Sequence, residues 1–320
     1  MSSGQEAVIG HGSILAYLER AQASGRLPHA LLFVGPAQVG KAAVADWLLR
    51  RTFGSQGLAH PDVSVVERLT DPKTEKVKEQ IVVEQVRELR DRLSHTALFG
   101  GAKAALLPEA EALNPEASNA LLKTLEEPHP RTLLILCAPA PEAVLPTVAS
   151  RCLVMRFQPV ARATIAASLC TRGTAPELAE EAAGLAQGCP GRAIRFVEDE
   201  EERLFETEAV ERLCRLIRDP VSRRLAASAE AVPKDDANRA HALARLLERW
   251  QGILRDLFLL SLGLPEIAMR PSQVSALVPL AASHPPAHWA YSSAMLRDIR
   301  RDLRLHASPS MALEHFFLSL

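Results

Sequence analysis

The stretch ALLFVGPAQVGKA, residues 30–42, decides the fold. Five apolar residues, 30–34, predict a buried strand, the turn at 35–40 begins and ends with glycine, and Lys41 starts a segment with helical periodicity through Arg51. A strand, a loop of the form G-x-x-x-x-G-K and a helix make a phosphate-binding P-loop. Gly35 and Gly40 let backbone N–H groups approach an anion at the helix N-terminus, and Lys41 is placed to reach its oxygens.

The last position of the P-loop pattern departs from it, because Ala42 stands where a serine or threonine hydroxyl would bind Mg²⁺. A second departure follows the predicted strand at Ala104–Leu107, where Pro108 precedes Glu109 and Glu111. A catalytic acid is expected directly at the strand end, so these carboxylates are more typical of exposed residues that start a helix. The loop therefore predicts either an inert turn or nucleotide binding without turnover, with an active ATPase as the alternative.

Apolar runs and helical segments alternate through the first half of the chain. Further strands are predicted at 63–66, 133–137 and 153–157, with helices at 83–94 and 114–126. Asn114 and Pro115 are typical of a helix N-cap and first turn, and Ser13 is predicted to cap a helix through Ala23. Such alternation predicts an α/β fold with a parallel sheet covered by helices on both faces.

After Pro159 only helical patterns remain. Three short helices are predicted over 161–170, 176–186 and 191–197, and a helical region broken by prolines extends from 202 to 320. We therefore expect an α/β P-loop domain at 1–159, a small helical domain at 160–203 and an all-α domain at 204–320. Ile253, Leu257, Leu260, Phe316 and Phe317 are candidates for the core or an interface of the last domain.

Composition excludes several classes of protein. The 320 residues carry 37 Lys and Arg against 38 Asp and Glu, a net charge of −1, which argues against an autonomous nucleic-acid binder. Any contact with DNA must then come from a local patch or a larger assembly. The five cysteines include no C-x-x-C pair, which favours reduced thiols over disulfides or a zinc ribbon. No signal peptide or membrane span is expected, so the predicted location is cytoplasmic.

Two motifs carry a resemblance to a known family: NALLKTLEEP at 119–128 and Ser-Arg-Cys at 150–152. HALLFVG at 29–35, His-Pro-Asp at 60–62 and GCPGRA at 188–193 support it in the family's order. With these motifs the chain resembles the bacterial clamp-loader AAA+ proteins of DNA polymerase III. From the residues alone, Arg151 is either a surface cation or an arginine finger aimed at a neighbour's phosphate.

The resemblance implies a fold, partners and roles. Its fold is an AAA+ P-loop domain, a three-helix lid and a helical collar that joins a five-subunit ring. Decay of the P-loop resembles delta prime subunits, since gamma/tau motor subunits have an intact G-K-[ST] and a strand ending in Asp-Glu. The implied function is that of a stator in DNA replication: Arg151 acts in trans on a gamma/tau ATPase during loading of the sliding clamp. An ATP-hydrolysing gamma/tau-like motor is the alternative.

The same resemblance sets expectations for ligands and partners. The implied nucleotide site is degenerate, with weak or no ATP binding. It would be formed by Gly35, Gly40, Lys41 and Arg192, the last in a position that resembles sensor 2. Val8–His11 correspond to the stretch that lines the adenine pocket of motor subunits. No cofactor is required and no zinc is expected, because 43–136 contain no cysteine. The expected partners are gamma/tau and delta, with the clamp and primed DNA reached through the complex of the nucleoid-associated replisome. Little or no ATPase activity of its own is expected within this DNA polymerase (nucleotidyltransferase) holoenzyme.

Overall fold

A computed structural model describes residues 8–71, 77–98, 101–231, 236–304 and 309–320. For residues 228–231, 236–241, 304 and 309–312 only the backbone is described. The chain forms two compact units, one of Met1–Ser168 with Gly188–Gly191 and one of Leu169–Gln187 with Arg192–Leu320. The predicted domain boundaries at 159/160 and 203/204 stay a prediction.

The first unit contains a five-stranded parallel sheet. Its strands are β1 (Ala30–Val34), β2 (Val63–Val65), β3 (Lys103–Leu107), β4 (Thr132–Ala138) and β5 (Leu153–Arg156), in the order β2-β3-β4-β1-β5. Leu31 of β1 pairs with Leu153 of β5 and with Ile135 of β4, which fixes the register at the centre of the sheet. β2 and β5 are the edge strands and are only partly buried, whereas β1, β3 and β4 are buried along their whole length, as predicted for strands of a covered parallel sheet.

Helices cover both faces of this sheet. They are α1 (Gly12–Ala23), α2 (Lys41–Phe53), α3 (Val83–Ser94), α4 (Pro115–Glu126) and α5 (Pro146–Ala149). Leu31 and Phe33 point to the core that holds α1 and α2, whereas Leu32 and Val34 point to the core that holds α3 and α4. Successive strand residues face opposite sides, so both faces must be apolar.

The predicted start of α4 is confirmed. The Asn114 side chain accepts a hydrogen bond from the Ala117 N–H at 2.8 Å, and Pro115 is the first helical residue. The predicted Ser13 cap is wrong, because α1 begins at Gly12 and its N-cap is His11 in the left-handed region at φ +58°. The His11 ring packs on Phe157, with centroids 4.8 Å apart. This contact accompanies the left-handed backbone conformation of His11.

Helices alone follow the sheet, as predicted. They are α6 (Arg162–Thr171), α7 (Pro176–Leu185), α8 (Pro190–Glu198), α9 (Glu200–Arg218), α10 (Val221–Ala231), α11 (Asp236–Ser261), α12 (Val274–Ala281), α13 (Pro286–Arg304) and α14 (Pro309–Ser319). The core of the helical unit surrounds Trp250, whose indole N–H donates to the Ala209 carbonyl at 3.1 Å. The five candidates for core or interface all lie in this core. The predicted fold class, an α/β domain with a parallel sheet followed by helices, is confirmed.

Candidate functional site

The P-loop joins β1 to α2 at the carboxyl edge of the sheet. Gly35 has φ +153°, and a Cβ there would lie 2.5 Å from the Phe157 carbonyl oxygen, so only glycine fits. Gly40 has φ +118° and lies beside the His11 imidazole, whose Nε2 would be 3.3 Å from a Cβ at this position. Both predicted glycines are therefore required by the geometry of the loop itself.

Lys41 lies across the same loop. Its ammonium donates to the carbonyl oxygens of Gly35 at 2.5 Å and Pro36 at 2.9 Å. Burial lowers the pKa of Lys41, while the negative charge of the Glu111 carboxylate opposes that shift. A phosphate bound here would have to replace the two carbonyls as the partner of this ammonium.

Two contacts that sequence reasoning missed hold the loop from outside. The His11 Nε2 atom lies 2.8 Å from the Val39 carbonyl oxygen, and the Gly191 N–H donates to the Gln38 carbonyl at 2.9 Å. A Cβ on Gly191 would lie 3.0 Å from the same Gln38 oxygen, so the close approach depends on glycine. The Gly-x-x-Gly spacing at 188–191 was the available signal, but it does not reveal which loop it touches.

The acidic residues after β3 have separate environments. Glu109 accepts two hydrogen bonds from Arg68, at 2.8 and 2.7 Å, and this guanidinium lowers the pKa of the Glu109 carboxyl. Glu111 lies exposed in a 3-10 turn at Ala110–Ala112, and its charge acts on Lys41. The carboxylate nearest the strand end is thus engaged by an arginine 41 residues away, which periodicity could not predict.

Arg151 follows α5 and lies just before β5. Its guanidinium forms an ion pair with Glu126 at 2.7 Å and donates to the Thr147 carbonyl at 2.9 Å. The arginine side chain is 37% exposed and that of Glu126 is 49% exposed. Arg151 is therefore a surface cation held in place by the last residue of α4, which belongs to the NALLKTLEEP motif.

The sheet separates Arg151 from the P-loop of its own chain. Arg151 precedes Leu153, which pairs with Leu31 near the start of β1, whereas the P-loop begins after Val34 at the other end of that strand. At about 3.3 Å per residue the two edges are roughly 15 Å apart. That is farther than an arginine side chain reaches, so Arg151 and Lys41 do not form one site within the chain.

Arg192 follows Gly191, and its guanidinium contacts the helical unit. One of its terminal nitrogens lies 3.4 Å from Glu248 on α11. A role of Arg192 toward nucleotide stays a prediction. Gly35, Gly40 and Lys41 are thus brought together, while Arg151 lies elsewhere.

Among the residues that the structure describes, no group of three or more His, Cys, Asp or Glu side chains is arranged to hold a metal ion. Nor does any described helix combine the length and the apolar character needed to cross a membrane. All five cysteines are free thiols.

Comparison with known proteins finds similar sequences among subunits of DNA polymerase III. A family described as DNA polymerase III, delta subunit, matches residues 10–161. The chain is 37% identical over 198 residues to DNA polymerase III subunit delta' of Pseudomonas aeruginosa, which covers 55% of this chain and 58% of that protein. It is 32% identical over 196 residues to subunit delta' of Escherichia coli, covering 58% and 59%. It is 30% identical over 154 residues to subunit tau of E. coli, covering 46% and 24%. The matches thus span somewhat more than half the length of these two delta' relatives.

Proposed function

We propose that the chain, whose residues 10–161 match a family described as DNA polymerase III, delta subunit, is a delta' subunit that supplies Arg151 to the ATP site of a neighbouring clamp-loader subunit. It resembles delta' subunits over longer alignments than the tau subunit of E. coli. In this proposal the chain is a stator: it positions a cation for a neighbour's ATP hydrolysis and turns over little or no ATP itself.

The observation that carries the proposal is the position of Arg151 at the amino edge of the sheet. Its own P-loop lies at the carboxyl edge, so the phosphate that Arg151 serves must belong to another chain. A guanidinium is always charged and presents a planar fork that matches the oxygens of a phosphoryl group. In transfer of that group, such an arginine stabilises charge that develops on the equatorial oxygens.

Glu126 gives this arginine a resting partner. Because the ion pair and the bond to Thr147 hold the guanidinium against its own chain, Arg151 must leave Glu126 to meet a phosphate. The cost is small, since exposed ion pairs contribute about 0.2–1 kcal/mol. An incoming γ-phosphate, with more negative charge than one carboxylate, can therefore displace Glu126.

The chain's own P-loop is proposed to bind ATP weakly or not at all and to hydrolyse it negligibly. Gly35, Gly40 and Lys41 keep the geometry of a phosphate cradle, but Ala42 offers no hydroxyl to Mg²⁺. Glu109, the acid nearest the end of β3, is bound to Arg68. No cofactor and no zinc are required in this proposal.

The proposed partners are gamma/tau and delta subunits, with the sliding clamp and primed DNA contacted through the assembled complex. The helical region 204–320 would serve as the collar that joins the ring. The proposed location is the bacterial cytoplasm, at the replisome. Deleting 204–320 should abolish co-purification with gamma/tau and delta, while the α/β unit should still be recovered on its own if it folds independently.

The proposed role of Arg151 is tested in the reconstituted loader with Arg151→Ala. The matched control is Arg26→Ala, an exposed arginine between α1 and β1 at the same edge of the sheet. Hydrolysis at the neighbouring site should fall by about 10³–10⁵, the range found for arginine fingers, with assembly unchanged. Unchanged single-turnover hydrolysis with Arg151→Ala would refute the proposal, as would an equal loss with the control.

The proposed inactivity is tested on the isolated chain by calorimetry with ATP and by phosphate release. Weak or undetectable binding and no Mg²⁺-dependent release are expected. Robust turnover that disappears with Lys41→Ala would instead favour the gamma/tau-like motor.

A further inference from the structure

The helical unit contains a cavity of about 500 Å³ between α11 and α13. Four arginines line it: Arg192, Arg255, Arg297 and Arg300. We call this cavity with its four arginines the arginine groove. Its volume lies within the 300–1,000 Å³ range of small-molecule sites.

The arginine groove has an excess of positive charge. Its one lining carboxylate is Glu248, which pairs with Arg192 at 3.4 Å. The closest carboxylate to Arg255 is Asp256 at 3.8 Å, but Arg270 already bonds that carboxylate at 2.9 Å. Three guanidinium groups therefore face the cavity without a lining carboxylate of their own.

The α13 side of the groove is the least neutralised. Arg297 donates only to the Ser293 hydroxyl, at 3.3 Å, and within the part of the chain that the structure describes no acidic side chain pairs with Arg300. Arg301 on the same helix differs, because it pairs with Asp298 at 3.2 Å and Asp302 at 3.4 Å and does not line the cavity. Of Arg297, Arg300 and Arg301, whose side chains the structure describes, the two without an acidic partner are thus those that line the groove.

The spacing of these residues explains the convergence. Glu248, Gln251 and Arg255 lie three and four residues apart on α11, so they share one helix face. Ser293, Arg297 and Arg300 do the same on α13. Two polar helix faces therefore meet over a floor that includes Phe258 and Met269.

From this charge and shape we infer that the arginine groove binds a phosphate-bearing ligand, either a nucleotide or the backbone of a nucleic acid. Guanidinium forks bind phosphate oxygens with two parallel hydrogen bonds, and paired guanidinium groups suit a dianion or successive phosphodiesters. The apolar floor can pack against a base or sugar. The near-neutral chain as a whole gives no such attraction, so binding would be local, and this inference does not depend on the role of Arg151.

The inference is tested on the purified full-length chain by fluorescence anisotropy. The probes are a labelled 15-nucleotide single strand and a labelled ATP analogue, with pyrophosphate and a glutamate-rich peptide as competitors. All measurements use a Lys41→Ala background, which removes the P-loop as a source of binding. The variant is Arg297→Ala with Arg300→Ala, and the matched control is Arg301→Ala.

The double variant should weaken phosphate binding about ten-fold or more, whereas the control should change it less than two-fold. If the single strand is the ligand, the slope of log affinity against log salt should fall by about 1.4, or 0.7 for each lost phosphate contact. Binding of the ATP analogue with no binding of the single strand would assign a nucleotide, and the reverse would assign nucleic acid. Absence of both, equal affinity in the double variant, or binding of the acidic peptide alone would overturn the inference.

Folding of the double variant is checked by circular dichroism and by the emission of Trp250 and Trp289. Because neither arginine is buried, the variant should unfold at the same temperature as the control. If it does not, Arg297→Gln with Arg300→Gln, which keeps hydrogen-bonding length without charge, must show the same loss of binding.

Discussion

The buried ion cluster around Arg270 gives the most direct test of the helical unit. The Arg270 guanidinium, 1% exposed, donates to Glu206 at 2.8 Å and to Asp256 at 2.9 Å. Asp256 also accepts the Met269 N–H at 2.8 Å. Replacing Arg270 by methionine removes the cation nearest to two carboxylates that are 3% and 0% exposed; Glu206 keeps Arg249 at 3.0 Å, whereas Asp256 loses its buried partner.

Removing one partner of a buried pair costs about 3–5 kcal/mol, because a charge stays in a poorly solvated place. With domain stabilities of about 5–15 kcal/mol, Arg270→Met should remove about a fifth or more of the free energy of unfolding of this unit. At a urea m value of roughly 2 kcal/mol/M, the midpoint should fall by about 2 M.

The assay is urea unfolding followed by tryptophan fluorescence. The chain has three tryptophans, and Trp47→Phe in every sample leaves Trp250 and Trp289, both fully buried in the helical unit. Arg301→Met, the same change at a side chain that is 67% exposed, is the matched control and should shift the midpoint little.

Adding Glu206→Gln and Asp256→Asn to Arg270→Met separates charge from packing. Both amides keep hydrogen-bond acceptors, so most of the lost stability should return. A loss below about 1 kcal/mol for Arg270→Met, or no recovery in the triple variant, would refute the reasoning that uncompensated buried charge dominates.

Three further predictions concern exposed or titrating groups. Glu126→Gln should free Arg151 and raise single-turnover hydrolysis in the reconstituted loader up to about five-fold, the equivalent of about 1 kcal/mol. A lower hydrolysis rate would contradict the role of Glu126 as the resting partner of Arg151. Cys170 is exposed and should react with iodoacetamide at pH 8, whereas burial raises the pKa of Cys152 to about 11 and should protect it, which mass spectrometry of the native chain can compare. Burial, and then a stacked histidine, lower the pKa of His288. Because the unfolded state then binds more protons, stability should rise with pH up to about 6.5 and be lost as pH falls toward the folded pKa. His288→Gln should flatten that rise in urea unfolding.

Each of these predictions has an outcome that tests the role assigned to its residue. Equal alkylation of Cys152 and Cys170 would show that the half-buried thiol is open to solvent. A steeper pH dependence after His288→Gln would assign the titration to another group. Glu126→Gln with Arg151→Ala should give the same single-turnover hydrolysis rate as Arg151→Ala alone, because the only role proposed for Glu126 is to hold Arg151.

Local chemistry made much of the sheet unit predictable. The run 30–34 could only be a buried strand, and the Asn114–Pro115 pair fixed the start of α4 to the residue. Patterns of this kind depend on neighbours within a few positions, which one sequence displays directly. Ser13 failed as a cap because packing of His11 against Phe157 outweighed the local preference.

The candidate site was predictable only in part, because its partners are distant in sequence. The P-loop glycines and Lys41 follow from the motif alone. Periodicity could not identify three ion pairs of the site, because any exposed residue of opposite charge was an equal candidate. The pairs are Arg68–Glu109, Arg151–Glu126 and Arg192–Glu248. The groove between α11 and α13 was not predicted, because its concavity requires the packing of two helices.

The length of β1, which separates Arg151 from residues 35–40, has a consequence for assembly. A contact between the amino edge of one chain and the carboxyl edge of the next is head-to-tail, and such contacts close into rings or continue as filaments. Under the proposed trans contact, this chain offers the Arg151 guanidinium at one edge. At the other edge its P-loop has Ala42 where a hydroxyl would bind Mg²⁺. A row of subunits built in this way has a polarity, and the chain is suited to one terminus of it. If two copies of this chain were adjacent, Arg151 of one would face the inactive P-loop of the other, where no ATP is hydrolysed.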